Sequence, residues 1–397
     1  MNLSTTEIVR SYLGKVTDLE ELVADTTELE SMVESTSVEG GPPAVRQETV
    51  RSATEKLAQG AELNPEELFA TEAIIIPDKR PAIDIQDGDY RITHELWRHF
   101  EHDLAVKQRL RDAIASIGRV ELPEHPTLPY GGTAFVVGPD LMMTNRHVAE
   151  IFSIGLGIRN LHFRPGAKAG ADFLRERDRA GSMPVTVREV VMIHPYWDMA
   201  ILRVEGLGKE QPPLGLSLKA IEEYEGEEIA VIGYPAFDPR NDAAVQRQVF
   251  NGVYNVKRLQ PGKIGPPRAV TSYANQVLAA THDSSTLGGN SGSAVVSAST
   301  GQVVALHFGG RYLDANYGVP TGELAIDGRV VDTGINFAGT PSPKPNAYAA
   351  AWNEDVQTGA AQAPAAATGS IGSLSFTVPL TITIAVGSNA EHRSRDR

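Results

Sequence analysis

From Gly118 onward the sequence predicts a mainly β protein. Short apolar runs alternate there with Gly, Pro and Asp turns, as in sandwiches and barrels. The chain is rich in breakers, with 37 Gly and 25 Pro in 397 residues. It has no cysteine, so no disulfide framework or thiolate site holds or equips this body. Strands are expected at about 118–122, 132–137, 141–144, 184–193, 199–204, 228–232, 249–256, 276–281, 293–297 and 302–308. A short helical turn is expected through Val148–Phe152.

The flanks read differently. Residues 1–92 form an acidic helical and linker extension: residues 1–100 hold 9 basic and 20 acidic side chains, a charge of −11 out of the chain's −14. A weakly amphipathic pattern over 5–35 suits either a helix that docks on a partner or a solvated leader. Two short helices are expected in 44–73, then extended pieces at Ile74–Ile76 and Arg80–Ile85. Residues 93–117 predict a helix capped by Thr93. Trp97, Phe100 and Leu104 share one face, continued by Leu110, Ile114 and Ile117, and this helix should lie against the β body. The body is expected to span 118–340. A Pro/Ala-rich linker follows at 341–371, then a terminal strand and tail at 372–397. Residues 374–386 alternate apolar and polar without a break, so that strand needs a sheet or a partner to cover one face.

Composition excludes several functions. The acidic balance disfavours a basic nucleic-acid groove. No apolar run approaches the ~20 residues that span a bilayer, and the first residues lack a basic start before an apolar core. A cytoplasmic protein without a membrane partner is the expectation. His99 and His102 lie three apart with no clear third ligand, so no metal is expected. Residues 163–183, dense in Arg175, Glu176, Arg177, Asp178 and Arg179, read as an exposed loop.

Three stretches carry chemistry. Residues 285–293 read Ser-Thr-Leu-Gly-Gly-Asn-Ser-Gly-Ser. Glycines around Ser291 allow a left-handed backbone and close approach, which an exposed nucleophile needs. The N–H groups of Gly289 and Ser291 can hold the oxyanion formed when an acyl carbon is attacked. Taken alone, such a loop reads as a surface turn. Residues 131–149 deliver His147 and residues 194–204 deliver Asp198, each beside an apolar run. Singly, these read as a core histidine and a strand-end carboxylate. Together they match a hydroxyl nucleophile, its base and an orienting carboxylate. The order His, Asp, Ser is that of the chymotrypsin-like arrangement.

The segments Thr-Asn-Arg-His-Val, Asp-Met-Ala-Ile-Leu and Gly-Asn-Ser-Gly-Ser resemble those of trypsin-like serine peptidases, above all the bacterial glutamyl endopeptidases, over about residues 118–340. The resemblance implies a double β-barrel with the site between the barrels, and a serine endopeptidase acting on polypeptides without a cofactor. It implies a primary pocket built by Ser285, Thr286 and His307, with Phe308 and Gly309 offering an extended edge to the substrate. Threonine and histidine at positions 286 and 307 match the glutamyl endopeptidases and imply cleavage after Glu or Asp. Leu287 departs from that pattern. Asn290 stands where trypsin-like zymogens place an aspartate, so activation by that ion pair is not expected. Tyr196, Trp197 and Tyr234 are candidate cleft residues. By analogy, such domains fused to helical and β modules belong to bacterial multi-module effector or defence proteins. Residues 1–35 or the 374–386 strand would then meet a protein partner. The rival expectation is a catalytically silent protease-fold scaffold.

Overall fold

The computed structural model describes Lys56 and residues 79–353, apart from 124, 129, 238–242, 274 and 312–314. The helices expected in 5–35 and 44–73 (Lys56 aside), the Ile74–Ile76 segment and the 374–386 strand lie outside the described residues.

Six antiparallel strands close the first barrel: β3 (Ile117–Glu121), β4 (Tyr130–Val136), β5 (Leu141–Thr144), β8 (Gly170–Asp172), β9 (Pro184–Ile193) and β10 (Ala200–Glu205). Their ring order is β10-β5-β4-β3-β8-β9. Alternation along these strands sends Val120, Ala134, Val136, Met142, Val185, Val187 and Leu202 into one buried cluster. The second sheet runs β11 (Glu228–Gly233), β14 (Ala294–Ser297), β15 (Val303–Arg311), β16 (Ala315–Pro320), β13 (Asn275–His282) and β12 (Arg258–Ser272). β11 also pairs with β12, which closes these six strands into a second barrel. The hairpin of β1 (Ile83–Gln86) and β2 (Asp89–Tyr90) extends this sheet, with Ile83 opposite Leu259. A small hairpin, β6 (Ser153–Leu156) and β7 (Arg159–Phe163), follows the helix that carries His147.

The helix expected over 93–117 is broken in two. A 3-10 turn at Glu95–Trp97 leads into α1 (His99–His102), and α2 spans Leu104–Ala115. Asp103, not Thr93, makes the cap: its extended backbone interrupts the helix, and its carboxylate accepts from the N–H of Ala105 and Val106. That break turns Leu104 outward to 80% exposure, while Trp97, Phe100, Leu110 and Ile114 enter the main core as expected. His99 pairs with Glu228 at 2.6 Å.

Two further expectations are corrected. Residues 249–256 do not form a strand. They hold the end of α4 (Ala243–Phe250) and a turn in which Asn251, Gly252 and Asn255 have positive φ, outside the extended region. Val249 and Phe250 pack with Ala82, and Leu287 leans on the same cluster. Leu287 therefore serves α4. Residues 163–183 are not a solvated loop throughout. They contain β8, and their charges are paired: Arg177 with Asp84 and Lys257 with Glu176 tie the segment to the body, while Arg179 with buried Glu176 and Arg175 with buried Asp172 pair inside it. Pro341–Asn353 stays on the body through Tyr348 and Trp352, the latter 4% exposed.

Candidate active site

β5 ends at Thr144, and Asn145 turns the chain into α3 (Arg146–Phe152). His147 therefore stands on the first turn of a helix at the rim of the first barrel. Asp198 lies in the turn between β9 and β10. Its carboxylate meets His147 twice, accepting from the backbone N–H at 3.0 Å and contacting Nδ1 at 2.7 Å. An ionised carboxylate only accepts, so Nδ1 carries the proton and Nε2 presents a lone pair. Asn145 Nδ2 donates to the Asp198 carbonyl at 2.9 Å and ties the two loops together. The Asp198 side chain is 6% exposed and that of His147 is 39% exposed, so the pair opens on the imidazole side.

Ser291 is supplied by the loop between β13 and β14, from the second barrel. Gly289 and Gly292 adopt φ of 85° and 88°. A side chain at Gly292 would collide with the Thr133 carbonyl, so only glycine lets this loop press against β4. The Ser291 carbonyl accepts from the Thr133 N–H at 2.8 Å, and Gly292 N–H donates to the His307 carbonyl at 2.9 Å. A Cβ at Gly132 would meet the Ser291 carbonyl oxygen at 2.7 Å and a Val148 methyl at 3.0 Å. The serine loop and the helix of His147 thus face each other across one glycine. Among the described residues no hydrogen bond joins Ser291 Oγ to His147. The N–H groups of Gly289 and Ser291 likewise donate to no acceptor there.

The residues expected to build a primary pocket fall beside this loop. His307 is 2% exposed, and its Nδ1 lies 3.1 Å from Nε2 of His282, also 2% exposed. Burial holds both rings neutral: it pushes His282 down to about 3, and it pushes His307 well below the usual range, with smaller contributions from His282 and His147. Nδ1 of His282 has no partner among the described residues. An orphaned lone pair costs less than an orphaned N–H, so His282 Nε2–H donates to His307 Nδ1. The proton on His307 then sits on Nε2. Sequence reasoning missed His282, whose only signal is its place ahead of the pocket segment.

Ser285 and Thr286 spend their protons elsewhere. Ser285 Oγ donates to the Arg80 carbonyl at 2.6 Å. Asn316 Nδ2 donates to the Ser284 carbonyl at 2.7 Å, which leaves Oδ1 facing Thr286 and makes the Thr286 hydroxyl the donor at 2.5 Å. Phe308 stacks on Tyr317, and Gly309 is paired with Tyr317 on β16. Trp197 and Tyr234 are 2% and 0% exposed; they are core, not cleft, residues, because Tyr234 ties the barrels by donating to Ile117 and Asp172 carbonyls. Tyr196 stacks on Tyr348. A groove of about 620 Å³ lined by Pro139, Pro213, Phe337 and Pro341 includes none of these residues.

Two closed six-stranded barrels, with a His–Asp pair on one and a glycine-flanked serine loop on the other, have the architecture of the chymotrypsin-like serine peptidases. Residues 132–306 match the model of the trypsin-like peptidase domain. The chain is 29% identical over 293 residues to a probable serine protease of Lysobacter enzymogenes, a match covering 66% of this chain and 75% of that one. Similar solved structures include the active form of the Rv3671c protease from M. tuberculosis, at 21% identity and a TM-score of 0.40, covering 62% of this chain and 90% of that one. Another is the HtrA-type protease AlgW with a decapeptide, at 15% identity and a TM-score of 0.40, covering 58% of this chain and 68% of that one. The domain match and the Lysobacter relative support a serine protease that acts on polypeptides. Among the described residues no helix is long and apolar enough to cross a membrane.

Proposed function

We propose that this chain is a serine endopeptidase whose triad is His147, Asp198 and Ser291. The observation that carries the reading is the double contact of Asp198 with His147, which fixes the imidazole tautomer with Nε2 unprotonated on a side chain that is 39% exposed. Nε2 takes the Ser291 proton as Oγ bonds to the substrate carbonyl carbon. The N–H groups of Gly289 and Ser291, which have no protein acceptor among the described residues, receive the oxyanion. The C–N bond then breaks, and His147 returns the proton to the leaving amine. Water repeats the sequence on the acyl-enzyme: its proton goes to His147 and then to Ser291 Oγ as the acid leaves.

The preferred residue before the cut is Glu, with Asp second. A neutral imidazole with its proton on Nε2 can donate to a carboxylate, and Ser285 places no negative charge at the pocket base. Thr286 joins in only when the substrate carboxylate displaces Asn316 as its acceptor. Labelling with a fluorophosphonate tests the enzyme assignment: native protein reacts and Ser291→Ala does not. Equal labelling of both, or of neither, favours the silent scaffold. A panel of amide substrates differing only before the cut tests specificity. Fastest turnover of Lys or Leu substrates, or an unchanged preference in His307→Ala, rejects the acidic pocket.

A further inference from the structure

The loop that carries Asp198 is held from behind by residues far along the chain. His194 is completely buried. Its Nδ1 accepts from the N–H groups of Tyr196 and Trp197, both at 3.0 Å, so the ring caps the turn that ends in Asp198. That leaves the proton on Nε2, which meets Oδ2 of Asp327 at 3.1 Å; Asp327 is also completely buried. Trp352 Nε1 donates to the same oxygen at 2.7 Å, and the Arg329 N–H donates to Oδ1 at 3.0 Å. Burial by itself would raise the Asp327 carboxyl, but the bonds from His194, Trp352 and Arg329 more than offset it and hold it ionised. The aromatic rings of Trp352 and Tyr348 meet His194 edge-on at 5.1 and 5.6 Å, and Tyr348 stacks on Tyr196 at 4.7 Å. Asp327, Tyr348 and Trp352 all lie beyond residues 132–306.

We propose that Asp327 and Trp352 are positioning residues for Asp198, acting through His194, so that the segment after the second barrel sets the geometry of the His147–Asp198 pair. The inference rests on the protease reading for its consequence, not for its geometry. A buried imidazole fixed by a carboxylate on one nitrogen and by two backbone amides on the other leaves the turn a single orientation. Without that carboxylate the ring can rotate, the amides of Tyr196 and Trp197 lose their acceptor, and Asp198 shifts relative to His147.

The test compares native protein with Asp327→Asn, which keeps an acceptor but removes the charge, Asp327→Leu, which removes both, and Trp352→Phe, which removes one N–H. Active sites are titrated with the fluorophosphonate, so that rates refer to folded, reactive protein only. The expected result is a kcat per titrated site lowered about 10- to 100-fold in Asp327→Leu with KM within about twofold, and partial recovery in Asp327→Asn. The low-field proton resonance of the His147–Asp198 hydrogen bond shifts or broadens in the same order. Unchanged kcat per site and an unchanged resonance in all three variants, with only the melting temperature lowered, overturn the proposal. If native protein proves inert toward the fluorophosphonate, the protease reading fails separately, and the resonance alone decides the positioning role.

Discussion

Asn290 and Gln260 hold each other through two side-chain hydrogen bonds, Nδ2 to Oε1 at 3.1 Å and Nε2 to Oδ1 at 3.0 Å, with both residues completely buried. Asn290 precedes Ser291, and Gln260 lies on β12, so a neutral amide pair anchors the serine loop to the second barrel. No charge has to be buried or delivered there. Replacing Gln260 by Leu leaves the Asn290 amide without its partner, which costs about 1–3 kcal/mol. Urea unfolding of Gln260→Leu should show that loss, and fluorophosphonate labelling should slow because the Gly289 and Ser291 amides lose their fixed aim. Labelling at the native rate would remove Gln260 from the loop's support.

Asp198→Asn should keep the fold and lose the chemistry. The asparagine side chain can accept from the His147 backbone N–H as Asp198 Oδ1 does. Its amide then faces Nδ1 as a donor and forces the wrong tautomer on the ring, at a cost of about 10⁴ in kcat by analogy with the same change in other triads. Steady-state kinetics on an amide substrate check this, with KM expected to move little. A loss below tenfold would mean that the carboxylate does not orient the base.

How much of this was legible in the sequence depended on how local each signal is. The three motif segments mark strand ends and turns, so their places in the fold and most strand positions could be read from short windows. β12 could not: Pro266 and Pro267 act as breakers in a short window, and the strand tolerates them because its ladder shifts register between Gly265 and Arg268. The helix break at Asp103 was hidden because Leu104 continues the apolar spacing of Trp97 and Phe100, although the fold buries those two and leaves Leu104 exposed. His282, Gln260 and Asp327 had no motif to announce them. Each acts through a partner at least 25 residues away, and only the folded chain brings them together.

Lys257 gives the protein an alkaline signature. Its ammonium is fully buried, donating to the Ile114 and Phe173 carbonyls at 2.9 Å, and burial pulls it down to about 8 despite Glu176 at 3.8 Å. Between pH 8 and the unfolded value near 10.5 the unfolded chain holds a proton that the folded chain has lost, so stability rises with pH through that window. Below pH 8 the folded state carries the full cost, about 3 kcal/mol. Lys257→Met should flatten the rise between pH 8 and 9.5, before tyrosines ionise. Arg179 remains 2.8 Å from Glu176, so that carboxylate keeps a partner in the variant. A native-like slope in Lys257→Met would show that the rise has another source.

The buried pair of His282 and His307 predicts the opposite flank. Burial holds His282 at about 3 and His307 well below its ordinary value, whereas in the unfolded chain both titrate near 6.5. As pH falls below about 6.5 the unfolded chain gains protons that the folded chain refuses. The stability associated with neutral rings is therefore fully present above pH 6.5 and is lost progressively toward pH 3. His282 contributes a slope of about 1.4 kcal/mol per pH unit across that interval, and His307 adds to it in the same direction. Chemical unfolding at a series of pH values should show this steep acid flank. Replacing His282 by Gln keeps a donor for His307 Nδ1 and removes one titrating ring, so the slope should fall while the contributions of His307 and buried His194 remain. The same variant should retain its preference for Glu over Gln substrates if His307 alone donates to the bound carboxylate. Loss of that preference would mean that the two rings act on the substrate as a unit.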